Sequence, residues 1–269
     1  IKLIVEDMSA YQGAPALPTL TPNQVTAVIA AAHAGGRMAV VHASTLADSR
    51  QALDAGADGL VHIFADRPVD QGFIESALAG DAFVVPTLSV LASFSGAGEG
   101  SGLAADPRLA PAVSAGQRAT LDAVIPGVPR SDRLGQALAS VRALHAAGVD
   151  ILAGSDAPNP GTAHGVTMHG ELELLVRAGL EPAEALAAAT AVPARRFGIA
   201  DRGRIAPGMR ADLLLVEGDP LSDITATRAI AGVWKNGYRI QRDPAAGAPQ
   251  AQLPPEDTLV SDFEADALG

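Results

Sequence analysis

Lys2, His42, His62 and Asp156 supply an amine, two imidazoles and a carboxylate, and each sits in or at the end of a short apolar run. Ile1-Lys2-Leu3-Ile4-Val5 is a β-branched run with the lysine inside it. Met38-Ala39-Val40-Val41 leads into His42, and Gly59-Leu60-Val61 leads into His62. Ile151-Leu152-Ala153 breaks into Gly154-Ser155-Asp156, after which Asn159, Pro160 and Gly161 stop regular structure. Imidazole and carboxylate together suit Zn²⁺ or Mn²⁺. The chain has no cysteine, so thiolate ligands and disulfides are excluded. A lysine buried beside such groups is costly as a cation; carboxylation by CO₂ would turn it into an anion able to bridge two cations. One histidine on an apolar strand is ordinarily a packing residue, and an exposed Lys2 near the start of the chain is the plain alternative. Recurrence at corresponding strand ends is what points to a ligand set.

Those residues need strands to carry them. Ile1–Val5, Met38–Val41, Gly59–Ile63, Ala82–Leu88 and Ile151–Ala153 read as five buried strands. Helices are expected between them, from Thr21-Pro22 to Gly35, over Leu46–Ala55, Val69–Leu78 and Ser131–Ala147, and after them over Thr167–Ala178 and Pro182–Thr190. Alternation of this kind means parallel βα units, and in a (β/α) barrel the C-terminal strand ends carry the chemistry. Residues 93–130 interrupt the pattern with a Gly- and Ser-rich stretch and one or two short helices, an insertion placed to act as a lid. After Gly198, Gly203–Gly208, Ala211–Val216 and Val233–Tyr238 read as short strands, with Asn236-Gly237 a hairpin turn. The expected domains are 1–198, a barrel part; 199–240, a small β-sandwich part; and 241–269, a Pro-, Ala- and acid-rich tail.

Composition narrows the function. Of 269 residues, 48% are hydrophobic and 18% charged, which allows a large core, and the net charge of −11 argues against a nucleic-acid partner. Ala82–Gly98, the longest uncharged apolar stretch, contains Pro86, Thr87 and several serines, so it reads as a strand and its loop rather than a membrane span. No leader peptide is visible, and a cytoplasmic protein is expected. The chain opens in the middle of a strand, as the later part of a longer protein would.

Lys2, Val41-His42-Ala43, His62 and Gly154-Ser155-Asp156, in that order, resemble the amidohydrolase superfamily. His169 to Gly179, Pro182 to Leu186, and Gly203-Arg-Ile-Ala-Pro-Gly-Met-Arg-Ala-Asp-Leu-Leu-Leu-Val216 are similar to its imidazolonepropionase-like and prolidase-like branch. The resemblance runs to about Ile240 and implies an α/β fold, a (β/α)8 TIM barrel to which this chain supplies about five strands, with a β-sandwich module. It implies metal ligands at Lys2, His42, His62 and Asp156, on strands 4, 5, 6 and 8, and a His-x-His pair on strand 1. This chain has no His-x-His. Strands 1–3 and that pair are therefore expected from an N-terminal segment or fragment; without it, five strands would leave open edges that favour self-association.

The resemblance further implies a divalent metal, two Zn²⁺ with Mn or Fe as alternatives, and hydrolysis of an amide-type bond in a small-molecule substrate such as a dipeptide, an N-acyl amino acid or a cyclic amide. The metals would lower the pKa of a water towards about 7, and Asp156 would take its proton and return it to the leaving nitrogen. His164 and Tyr11 are candidate substrate-binding residues; His169, also past the Asp156 strand, could face the site, while His33 and His145 read as surface or packing residues. Two alternatives stand beside this: a mononuclear deaminase or imidazolonepropionase-like hydrolase in which Lys2 is no ligand, and a binding protein that has lost its catalytic chemistry.

Overall fold

The computed structural model describes residues 1–8, 17–98, 100–124 and 131–241; Tyr11 and all but the first residue of the 241–269 tail lie outside them. Four parallel strands, β1 (Lys2–Val5), β2 (Val40–Ala43), β3 (Gly59–Val61) and β4 (Phe83–Val85), form one sheet in sequence order. Their pairing aligns Leu3, Val41, Leu60 and Val84, and Val84 bridges Ile151. All five side chains are at most 4% exposed. Because neighbours along a strand alternate faces, this row is the helix-packed side of the sheet and the heart of the main core.

The helices around it begin where sequence chemistry places them. Helix α1 (Pro22–Ala34) has Thr21 as N-cap in a capping box with Gln24, and Pro22 in its first turn. Thr45 caps α2 (Leu46–Asp54) and Asp70 caps α3 (Gln71–Ala79), each accepting an N–H from the first turn. There follow α4 (Leu88–Phe94), α5 (Gly100–Ala105), α6 (Ala115–Asp122), α7 (Arg133–Ala146), α8 (Val166–Ala178), α9 (Pro182–Ala188) and α10 (Ala191–Arg196). Leu103, Leu109, Leu121 and Val166 form a second apolar cluster that ties α5 and α6 to the start of α8.

Four expectations are corrected. His42 lies inside β2 rather than after it. The expected Ala82–Leu88 strand stops at Val85, because Pro86 has no N–H to pair, Thr87 turns left-handed, and Leu88 opens a helix. Ile151–Ala153 is a single bridge: Leu152 N–H reaches Val84 at 2.9 Å, but Ala153 N–H turns away to Ala188 at 2.8 Å. Residues 203–208 form turns, so the second sheet contains only β5 (Leu213–Val216), β6 (Ile230–Lys235) and β7 (Tyr238–Arg239), antiparallel throughout. Asn236 and Gly237, with φ of 52° and 81°, make the hairpin turn between β6 and β7.

The face of the parallel sheet turned away from the helices is open at β1, where Lys2 is exposed and Ile4 is 60% exposed. Among the described residues no helix is long and apolar enough to cross a membrane.

Candidate active site

Register puts His42 on that open face, in a row with Ile4, Val61 and Val85. His62 is the first residue after β3 and its N–H donates to the Val85 carbonyl at 2.9 Å. The two imidazoles meet edge to face with centroids 4.5 Å apart. Asp156 follows the Ile151 bridge. Gly154 lets this segment lie against β4, because a Cβ there would stand 2.5 Å from Val85 Cγ1.

Three non-glycine residues at the ends of three successive strand positions adopt left-handed backbone: His62 (φ 74°), Thr87 (φ 50°) and Asp156 (φ 47°). For a β-branched threonine this is a true outlier, and such strain persists only where the surroundings over-determine it. All three line one cleft of about 180 Å³. Its polar side also carries His42, Ser44, Asn159 and Arg133; its apolar side is Ile63, Pro86, Val90, Leu91 and Phe94.

The strain at Thr87 has a visible support. Glu171, on α8 and fully buried, accepts the N–H groups of Leu88 at 3.0 Å and Ser89 at 2.7 Å. It thereby satisfies the opening turn of α4 directly after Thr87. Thr87 Oγ1 in turn lies 2.6 Å from His62 Nδ1. The sequence Glu171, α4 start, Thr87, His62 fixes one ring nitrogen and leaves Nε2 of His62 for other partners. Burial, then the charges of His42 and Lys2, lowers the His62 pKa to about 3. The ring is therefore neutral, as a metal ligand must be. Burial also pushes the Glu171 carboxyl up to about 7, against the pull of its backbone donors.

Asp156 is held by Asn159, whose Nδ2 donates to the Asp156 carbonyl at 2.6 Å and to its Oδ2 at 3.1 Å. Lys2 stands at the start of β1, paired with Val40, one row below His42 and away from the cleft lining. His164 is exposed, its carbonyl accepting from Gln117 Nε2 at 3.1 Å, and it does not line the cleft. His169 is buried against Thr227, Nδ1 to Oγ1 3.0 Å, rather than facing the cleft. His33 and His145 pair with Asp58 and Glu184 at the surface. Among the described residues, no three His, Asp or Glu side chains stand close enough to hold an ion without adjustment.

Sequence reasoning missed Glu6, Thr87, Asn159, Arg133 and Glu171. Two signals were available: Glu6 shares the strand parity of Lys2 and Ile4, and Glu171 occupies a core position of α8. Thr87→Val, which keeps the branched shape but removes the hydroxyl, is expected to weaken Zn²⁺ binding about 10–100-fold by releasing the His62 ring. A competition titration against a chelator reads this directly, and unchanged affinity would show that the contact does not orient His62.

A sequence model of the Amidohydrolase family matches residues 7–240. The chain is 37% identical over 125 residues to an imidazolonepropionase of Deinococcus deserti, covering 45% of this chain and 31% of that protein. It is 36% identical over 94 residues to an adenine deaminase of Desulfatibacillum aliphaticivorans, covering 35% of this chain and 15% of that protein. The crystal structure of a Xaa-Pro dipeptidase with methionine bound in its active site superposes with a TM-score of 0.65 at 25% identity, over 89% of this chain and 54% of that one. The matches thus span about a third or less of these curated relatives and about half of the solved structure.

Proposed function

This chain belongs to the amidohydrolase family, and from that premise we propose that it carries the site of a metal-dependent hydrolase acting on an amide-type C–N bond. The observation that carries the reading is the convergence of His42, His62 and Asp156 on one cleft at successive parallel-strand ends, with two of the three in strained backbone.

The donor set suits a divalent cation of the Zn²⁺ type. His62 is neutral, its Nδ1 is engaged by Thr87, and a second imidazole and a carboxylate share the cleft. His42 and His62 would hold one ion, and Asp156 with a carboxylated Lys2 a second. A cation bound there polarises the substrate carbonyl and acidifies water. Asp156 performs the proton transfers: Asn159 engages Oδ2, leaving Oδ1 to take a proton from water and return it to the leaving nitrogen. Val90, Leu91 and Phe94 offer an apolar wall, and Arg133 brings a cation to the same cleft. That pairing matches a small molecule with an apolar group and a carboxylate, such as a dipeptide or N-acyl amino acid.

In this reading residues 1–198 belong to the barrel and 199–240 to the sandwich module, which the two separate sheets support. Residues 93–130, with Phe94 at the cleft, act as its cover.

A mononuclear variant is favoured by one observation, the exposed position of Lys2 one row below His42. The test is hydrolysis of a panel of Xaa-Pro dipeptides, N-acyl amino acids and cyclic amides by the purified protein with Zn²⁺ or Mn²⁺, with metal counted per chain. Turnover of any of these at one or two metals per chain supports the reading and selects between its forms. Stoichiometric metal with no C–N cleavage across the panel would overturn it.

A further inference from the structure

We propose that Glu6 is a metal ligand of this site, closing a set with His42 and His62 in the place that a carboxylated Lys2 would otherwise fill. The inference rests on the metal-dependent reading above. Lys2, Ile4 and Glu6 alternate onto the same face of the chain at β1. Ile4 pairs with His42, so Glu6 stands just beyond that row, at the C-terminal end of the strand where barrel chemistry is placed. Lys2 lies two residues the other way, about 6.6 Å down the strand from Ile4.

The carboxylate is already fixed. Oε1 accepts the Met8 N–H at 2.6 Å, with Met8 itself left-handed at φ 68°, and the Glu6 N–H donates to Thr19 Oγ1 at 3.0 Å. Oε2 then faces His42 Nε2 at 3.4 Å, with the two side chains only 10% and 18% exposed. That separation is long for a charge-assisted hydrogen bond, which closes to about 2.7–2.9 Å. It is the separation of two donors on one tetrahedral ion: bonds of about 2.0–2.1 Å at the tetrahedral angle place ligand atoms about 3.4 Å apart. A pair of atoms held at ligand spacing and short of hydrogen-bond closure is what a half-built cation site presents. The third donor is His62, whose ring lies 4.5 Å from that of His42 and whose Nδ1 is already taken by Thr87. Bringing its Nε2 to the Glu6–His42 pair needs a side-chain adjustment. No CO₂ is needed to supply the anionic ligand.

Zn²⁺ affinity by chelator competition, metal count per chain, and the visible spectrum of the Co²⁺-substituted protein would be compared in CO₂-free buffer for wild type, Glu6→Gln, Glu6→Asp and Lys2→Met. Circular dichroism checks the fold of each. The expected result is at least about a tenfold loss of affinity and an altered Co²⁺ spectrum in Glu6→Gln, partial recovery in Glu6→Asp, and wild-type affinity in Lys2→Met. Retained affinity and spectrum in Glu6→Gln, with loss in Lys2→Met or on removal of CO₂, would overturn the proposal while leaving the metal hydrolase intact. A wild-type protein that binds no Zn²⁺ at all would overturn both.

Discussion

Asp156→Asn is expected to lower kcat about 10²–10⁴-fold, the range for removing a general base, with fold and metal content nearly unchanged. The geometry makes asparagine a clean replacement. Position 156 has φ 47°, a left-handed conformation that asparagine adopts as readily as any residue with a side chain. The amide oxygen can still accept from Asn159 Nδ2, the contact that holds this turn. What is lost is the capacity to take a proton and return it. A loss confined to kcat, with circular dichroism and metal content matching wild type, supports the assignment. Retention of more than about a tenth of wild-type kcat with metal bound would remove Asp156 from the role of base. Asp156→Ala is a poorer experiment, because it also removes the side chain that eases the left-handed turn.

The difference between those variants shows what could be read from the sequence and what could not. Apolar runs ending in His42, His62 and Asp156 placed all three correctly at strand ends, because alternation and the breakers after each run are local signals. The cap of α1 was equally legible, since Thr21-Pro22 followed by Gln24 writes its own start. The extent of the strand before Asp156 was not, because its backbone leaves the sheet for Ala188, a partner 35 residues away in the chain, and no local propensity reports that choice. Glu171 was invisible for a related reason. On α8 it reads as one more polar residue of an amphipathic helix, and its role exists only because α4 starts against it. Glu6 was overlooked since Lys2 drew attention to the start of the same strand. Long-range satisfaction of buried polar groups, rather than pattern, decides these residues.

The same buried pair, His62 and Glu171, sets opposing pH responses in the metal-free protein. The His62 pKa is lowered from 6.5 to about 3 on folding, so between those values the unfolded chain binds a proton that the folded protein does not, and stability rises with pH. The Glu171 pKa is raised from 4.5 to about 7, so across that interval the folded protein keeps a proton the unfolded chain has lost, and stability falls with pH. Between pH 4.5 and 6.5 the two slopes, each up to about 1.4 kcal/mol per pH unit, oppose one another. Asp70, Asp81 and Asp106, held low by arginines, titrate below 3.8 and stay outside that window. Wild-type stability contributed by the pair should therefore be nearly flat there. Glu171→Gln should expose the rising His62 response, on top of a uniform loss of about 1–3 kcal/mol because one amide oxygen cannot accept both the Leu88 and Ser89 N–H groups. His62→Gln should expose the falling response of Glu171. Urea unfolding at pH 4.5, 5.5 and 6.5 with chelator present measures all three profiles. Divergence in opposite directions from a flat wild type supports the two assignments, whereas three parallel profiles would mean that neither group changes its proton affinity on folding and that the cleft is wetter than its packing implies.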